Sequence, residues 1–212
     1  MRISSFVLSL FVLFPGAVCL GQHSLKSVLT PFETRRAQEI ILQNDGFEES
    51  GGQAVLQQGF IKGEKAGVWV KVPATISNFK VDYFRVLAGG QETRTQVFFE
   101  MGIDSSGIYK AAMPRDIVNA ATITPGPYWN DIPAQGADGS LSCAKGGNLI
   151  GAAIEFTHDG VPSVYRDTNG ITQVANTLFA IPGGWNFSST FGLTGDWILR
   201  IVGHEANAGD CL

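Results

Sequence analysis

Histidine and cysteine are scarce in this chain of 212 residues, which has three of each. His23, His158 and His204 lie far apart in the sequence, and no HExxH motif occurs, so no zinc-hydrolase signature is present. A Gly-x-Ser-x-Gly nucleophile elbow is also missing. A Ser/His/Asp triad built from distant residues stays open, because its members need not be neighbours in sequence.

Basic residues are too few for a nucleic-acid-binding surface. Lysine and arginine number 15 against 19 acidic residues, and the formal net charge is −4. Phosphate backbones are bound by clustered positive charge, so we expect no nucleic-acid partner.

Long hydrophobic runs are missing after the first twenty residues, so we expect no membrane-spanning segment. The N-terminus itself has the pattern of a signal peptide, with Arg2, the apolar run "FVLSLFVLF" (6–14) and small residues around 17–22. We therefore predict a signal peptide over 1–21, a polar spacer over 22–38 and export to the periplasm or the extracellular space. Gly-Ala-Val before Cys19 matches a lipoprotein signal poorly, so lipid anchoring is not expected.

Two cysteines, Cys143 and Cys211, remain after the predicted signal peptide. In an oxidising compartment two cysteines most simply pair with each other, which would tie down the C-terminal tail over 206–212. Two free thiols or an intermolecular bond are the alternatives.

Alternating apolar and polar residues, punctuated by glycine and proline, predict strands throughout 39–205. In "AGVWVKV" (66–72), Val68, Val70 and Val72 share one face and Trp69 the other. A change of phase near Tyr83 indicates a bulge or a bend. No βαβ alternation or internal repeat occurs, so we predict an all-β domain, a two-sheet antiparallel β-sandwich of jelly-roll-like topology. The predicted strands cover 39–43, 52–60, 66–72, 79–88, 95–103, 117–124, 148–156, 163–167, 176–181 and 195–203.

Several segments resemble a family of secreted bacterial accessory β-sandwich domains. They are "NDGFEE" (44–49), "LIGAAIEF" (149–156), "RDTNG" (166–170) and the closing "NTLFAIPGGWNFSSTFGLTGDWILR" (176–200). The resemblance spans most of residues 40–203. It implies the same sandwich fold and supplies no catalytic residue, because the shared motifs are turns and strands.

Aromatic residues in a predicted loop are the main binding signal. "TPGPYWNDIP" (124–133) places Tyr128, Trp129, Asn130 and Asp131 between prolines. Aromatic rings stack on sugar faces while amides and carboxylates bond hydroxyl groups, so this set suits carbohydrate recognition. The alternative is that Trp129 folds back and plugs one end of the sandwich.

Two further tryptophans lie near the C-terminus. Trp197 alternates with Leu199 and Ile201 and is predicted to be core, whereas Arg200, on the other face, is expected to bond a carboxylate or carbonyl. Trp185 follows a Pro-Gly-Gly turn, so it is either a cap on the core or a solvent-facing ligand contact. We include it with the candidate binding residues.

Two glutamates and two turns offer alternatives to simple binding. Glu100 and Glu155 lie in predicted strands and would form a glycosidase pair if they met on one face; otherwise each lies on a solvated face or pairs with Lys or Arg. Asp167 and Asn169 in "DTNG", with Asn44 and Asp45 in "NDG", supply oxygens for a calcium ion, the one cofactor considered. The same residues are also common in turns that bind no metal.

The sequence thus favours a secreted, non-catalytic β-sandwich that binds carbohydrate or another cell-envelope component. A glycan-active hydrolase using the two glutamates, or a purely structural surface protein, are the other hypotheses.

Overall fold

The structure is a computed structural model that describes residues 38–50, 52–90, 93–113, 115–134 and 143–211. The predicted signal peptide, nearly all of the spacer and Cys19 lie outside the described residues. Within the described ranges the helical structure consists of short 3₁₀ turns, and no helix is long and apolar enough to cross a membrane.

Thirteen strands are present in the described part of the chain. In chain order they are β1 (Ile40–Leu42), β2 (Ala54–Leu56), β3 (Lys65–Lys71), β4 (Asn78–Gly89), β5 (Thr95–Asp104), β6 (Ile117–Ile123), β7 (Tyr128–Pro133), β8 (Cys143–Lys145), β9 (Leu149–Phe156), β10 (Ser163–Asp167), β11 (Thr177–Ile181), β12 (Gly184–Phe187) and β13 (Leu199–Glu205). The 3₁₀ turns are Val174–Asn176, Ser188–Phe191 and Ala208–Cys211.

The strands form two antiparallel sheets packed face to face, which confirms the predicted all-β sandwich. One sheet has six strands in the order β12-β11-β3-β9-β5-β6. The other has seven; β13 and β4 lie at its centre, β1 pairs with β13, and β7 and β8 both pair with β4. The chain crosses between the sheets repeatedly, and its first and last strands are neighbours.

The core between the sheets follows the two-residue period of the strands. Val68 and Val70 on β3 and Val72 just after it point into the core, as predicted, and Trp197 is also buried there. The rings of Phe84 on β4 and Phe99 on β5 stack across the core with centroids 4.5 Å apart. Each such side chain removed from water contributes about 2 kcal/mol, so this interior dominates the stability.

A bulge in β4 explains the predicted change of phase. Val202 lies opposite Tyr83 and Gly203 opposite Val81, so Asp82 is an extra residue in β4. The bulge switches inward-facing positions from Val81 to Phe84, which keeps both aromatic and aliphatic residues in the core.

The C-terminal tail is held against the seven-stranded sheet. Cys143 at the start of β8 and Cys211 in the last 3₁₀ turn form a disulfide with Cα atoms 5.6 Å apart, as predicted. The predicted strand over 52–60 is shorter in the structure, because only Ala54–Leu56 pairs with β10.

Candidate functional site

The segment with Tyr128 and Trp129 is a strand, so the loop prediction was wrong. β7 pairs with β4 over its whole length, with Tyr128 opposite Ala88 and Trp129 opposite Leu87. Tyrosine and tryptophan favour strands, and β4 offers them an open edge. The turn is confined to residues 124–127, where a cis Gly126–Pro127 bond occurs.

Asn130 holds this turn. Its Oδ1 accepts a hydrogen bond from the Thr124 backbone N–H at 2.6 Å. Its Nδ2 donates to the carbonyl oxygens of Thr124 and Tyr128 at 2.9 and 3.0 Å. The amide is therefore committed to the backbone, and we assign Asn130 a structural role in shaping the site.

Trp129 lies on the outer face of the seven-stranded sheet and is half-buried. The Arg200 guanidinium lies over its ring, 4.9 Å from the centroid, and the Phe47 ring is 6.2 Å away. Arg200 is fixed by Asp45 at 2.6 and 3.1 Å and by the Phe47 carbonyl at 2.6 Å, as its sequence position predicted. Trp129 therefore packs against a cationic group on the sheet surface, outside the sandwich interior.

Asp131 forms a two-pronged ion pair with Arg85 on the same outer face. The distances are 2.8 Å to Nε and 2.9 Å to Nη2. Hydrogen bonding to Asp131 raises the pKa of Arg85 above its ordinary value. Burial raises the pKa of the neighbouring Tyr83, whose hydroxyl donates to Glu39 at 2.8 Å and whose pKa is raised further by that carboxylate.

A groove runs beside these residues, where the edge strands β6 and β7 of the two sheets approach each other. Its volume is about 400 Å³. Tyr128, at the start of β7, is half exposed, with 50% of its surface accessible. The groove has polar groups on two strands, and Tyr128 is not among its lining residues, which are Asn119, Ala120, Ala121, Thr122, Asp131, Ile132 and Pro133.

Trp185 does not belong to this groove. It lies on β12, at the edge of the six-stranded sheet, and packs on that sheet's outer face against a second apolar cluster. Trp129 and Trp185 are therefore on opposite faces of the sandwich and cannot bind one ligand together. Trp185 is half-buried, so it acts mainly as a cap on that outer cluster.

The outer cluster is covered by a segment after β5, residues 105–113, which we call the strap. The Trp69 indole N–H donates to the Lys110 carbonyl at 3.0 Å, and Met113 lies over Gly67 and Gly151. Trp69 has no exposed surface as a result. Its position on the face opposite Val68 was predicted, but the strap above it was not.

Glu100 and Glu155 do meet, on the outer face of the six-stranded sheet beside the strap. Both contact the Lys65 ammonium, Glu100 Oε1 at 2.5 Å and Glu155 Oε2 at 2.8 Å. Arg115 also contacts Glu100 Oε1, at 2.9 Å. Both glutamates therefore pair with a basic residue, which was one of the alternatives. The other alternative, a solvated face, was wrong for Glu100, which has no exposed surface.

The electrostatics of this cluster favour the charged form of Glu155. Burial alone would raise the pKa of Glu155, but hydrogen bonds with Lys65 and Glu100 outweigh burial and lower it below its ordinary value. A glycosidase needs an acid with a raised pKa and two carboxyl groups open to the sugar. The lowered pKa of Glu155 and the complete burial of Glu100 do not fit those requirements.

Asp167 and the "NDG" turn come together at the edge of the seven-stranded sheet. Asp167 accepts hydrogen bonds from the backbone N–H groups of Gly46 and Asp196 at 2.7 and 2.9 Å. With its amide nitrogen turned towards Asp167, Asn169 donates to both carboxylate oxygens at 2.7 and 2.9 Å. Burial raises the pKa of Asp167, and the nearby charges of Asp196 and Asp45 add to that effect.

These contacts do not suit a calcium ion. The Asp167 oxygens already accept hydrogen bonds from three donors, and Asn169 acts as one of them. In the part of the chain that the structure describes, no group of three His, Cys, Asp or Glu side chains is arranged to hold a metal. Calcium binding at Asp167 and Asn169 stays a prediction.

Comparison with known proteins found no matching family model, no similar curated protein and no similar solved structure. The resemblance to secreted bacterial accessory domains therefore stays a prediction.

Proposed function

We propose that this protein is a non-catalytic binding domain of an exported protein, and that it binds carbohydrate in the groove between β6 and β7. The observation that carries the proposal is a groove with polar lining on β6 and β7; the exposed ring of Tyr128 lies on the same strand β7, three residues before the lining residue Asp131. Sugars present apolar ring faces edged with hydroxyl groups, and such a combination of surfaces binds both.

The rigidity of the groove supports this function. Tyr128 and Asp131 stand on a strand that is hydrogen-bonded to β4, and the Asn130 amide fixes the turn before them. Asp131 is held by Arg85, so a ligand hydroxyl would meet a carboxylate that is already oriented. A preorganised site loses less conformational entropy when it binds than a mobile loop would.

Export is part of the proposal and has separate support. The N-terminal sequence has the order of a signal peptide, and the disulfide between Cys143 and Cys211 suits an oxidising compartment. A cell-envelope polysaccharide is therefore a ligand class that the protein would meet.

The test is binding to a panel of polysaccharides by pull-down, followed by affinity measurement on any that is retained. We expect Tyr128→Ala to weaken binding about tenfold, because a stacked ring contributes about 1 kcal/mol beyond its buried area. Phe191→Ala is the matched control, since Phe191 is 42% exposed and packs against Phe179 on β11, away from β6 and β7. Asp131→Asn should also weaken binding.

Two outcomes would contradict the proposal. Failure of the folded wild type to bind any polysaccharide would favour a structural surface protein. Equal affinities of wild type and Asp131→Asn would exclude this groove as the site, and equal affinities of wild type and Tyr128→Ala would exclude a stacking role for that ring. Glu100 gives no second candidate function, because a fully buried carboxyl group cannot reach a polysaccharide.

A further inference from the structure

Three adjacent strands of the six-stranded sheet place Lys65, Glu155 and Glu100 on one face. Lys65 on β3 lies directly opposite Glu155 on β9. Glu155 in turn lies opposite Phe98 on β5, and Glu100 lies opposite Ala153, so the two glutamates are diagonal neighbours. The sheet itself therefore fixes an amine between two carboxyl groups.

The amine and the carboxyl groups are in contact and largely shielded from water. Lys65 Nζ is 2.5 Å from Glu100 Oε1 and 2.8 Å from Glu155 Oε2. The Lys65 side chain is 15% exposed, and the Glu100 side chain is not exposed at all. The Trp185 ring adds cover, with its centroid 5.9 Å from Nζ.

Glu100 is incompletely satisfied as a carboxylate. Lys65 and Arg115 both contact Oε1. Oε2 is buried and has no hydrogen-bond partner among the described residues. A buried ion pair must offset the loss of hydration of both charges, and an unpartnered buried oxygen makes this one more costly.

We propose that Lys65 and Glu100 become joined by an amide bond between Nζ and Cδ. The Lys65 ammonium passes a proton to the Glu155 carboxylate, and the neutral Nζ attacks Cδ of Glu100. The new C–N bond forms first and gives a tetrahedral centre at Cδ, and the C–Oε2 bond breaks once Oε2 has been protonated. Glu155 carries two of the three Nζ protons to Oε2, which leaves as water. The third proton stays on the amide nitrogen.

The balance of this step needs no oxidant or added reactant. An ammonium and a carboxylate become an amide and a water molecule, and Glu155 ends in the state in which it began. Arg115 donates to Oε1, the oxygen that gains negative charge during the attack and remains as the amide carbonyl. The product replaces two buried charges by one neutral group.

Proximity makes the reaction reasonable in the folded protein. Groups held in contact by a rigid scaffold react as if each were present at a very high effective concentration, on the order of 10⁵ M or more. Formation of the bond depends on the fold, because β9 lies between β3 and β5 in the sheet. The Lys65 side chain on β3 has to reach across β9 to contact Glu100 on β5.

Mass spectrometry tests the proposal on the purified, disulfide-reduced protein. We expect the intact mass to be lower by one water, about 18 Da, than the mass of the same chain without the bond. Trypsin should then release residues 63–71 joined to 95–110, because cleavage after Lys65 is blocked. Separate peptides 66–71 and 95–110 as the sole products would overturn the proposal.

Substitutions identify the residues that take part in forming the amide bond. Lys65→Arg should abolish the mass loss, and Glu155→Gln should abolish it while leaving Lys65 and Glu100 in place. Lys71→Arg, on the exposed end of the same strand, is the matched control and should keep it. Far-UV circular dichroism establishes that each variant is folded. A folded Glu155→Gln protein with the full mass loss would overturn the role of Glu155.

Discussion

Asp104, the last residue of β5, shows how one carboxylate organises the strap. It accepts a hydrogen bond from the Ser106 backbone N–H at 2.7 Å and also contacts the Ser106 hydroxyl and the Lys110 ammonium. The hydrogen bond with Lys110 is the largest cause that lowers the pKa of Asp104, from 3.8 to about 2, and those with Ser106 come next. The folded state therefore prefers the ionised form.

The direction of this pKa shift predicts an acid-sensitive strap. A carboxyl group with a lowered pKa in the folded state adds stability above about pH 4, and that contribution is lost as the pH falls towards 2. We expect Asp104→Asn to have a lower free energy of unfolding than wild type at pH 6. At pH 2 the difference between the two proteins should be smaller. Urea unfolding at each pH measures it. Lys110→Gln should act in the same direction, whereas the surface substitution Lys62→Gln should not. A constant gap between wild type and Asp104→Asn across this range would contradict the prediction.

Most strands could be predicted from the sequence, although β7, β8 and β12 were missed, but the segments that cover the sheets could not be predicted. Alternation with a period of two gave the inward face of β3, and a change of phase near Tyr83 gave the bulge in β4. The strap has no such period, so nothing in the sequence indicated that it would cover Trp69, or that Arg115 after it would contact Glu100. The face to which a strand residue points is set by its neighbours in sequence. Which distant segment covers that face depends on the tertiary fold.

The strap packs on the sheet through two glycines, and this contact can be tested. A methyl group at Gly151 would lie 2.8 Å from Met113 Cγ and 2.9 Å from Cζ3 of the fully buried Trp69. We expect Gly151→Ala to lower the free energy of unfolding by about 1–3 kcal/mol, because the ring has no room to move. Gly183→Ala is the matched control, since no atom lies within 4 Å of its added methyl group. Equal losses in the two variants, measured by chemical unfolding, would show that the packing is not tight.

At the scale of the whole molecule, the candidate binding groove arises from two strands that belong to different sheets. The residue types of Tyr128 and Asp131 indicated candidate binding residues, but the sequence pattern predicted a loop where the structure has β7. It could not associate them with Asn119 and Thr122 on β6, because the approach of two sheet edges has no signature in either strand. The tertiary arrangement also separated Trp185 from Trp129, although both fit the same binding pattern in the sequence.

The C-terminal part of the chain is held by the pairing of β13 and by the disulfide, and the disulfide is the contact that two substitutions can remove. β1 pairs with β13, and the bond from Cys143 to Cys211 spans 68 residues of sequence. Closing a loop of that length lowers the entropy of the unfolded chain and so stabilises the fold by about 4 kcal/mol. We expect the double variant Cys143→Ser with Cys211→Ser to lose about that free energy of unfolding and to keep the β-sheet circular-dichroism spectrum, because the strand pairs do not depend on the bond. Wild type with its disulfide reduced should unfold at the same denaturant concentration as the double variant. If the oxidised wild type and the double variant unfolded together, the tail would have to be held by its packing against β4 and not by the disulfide.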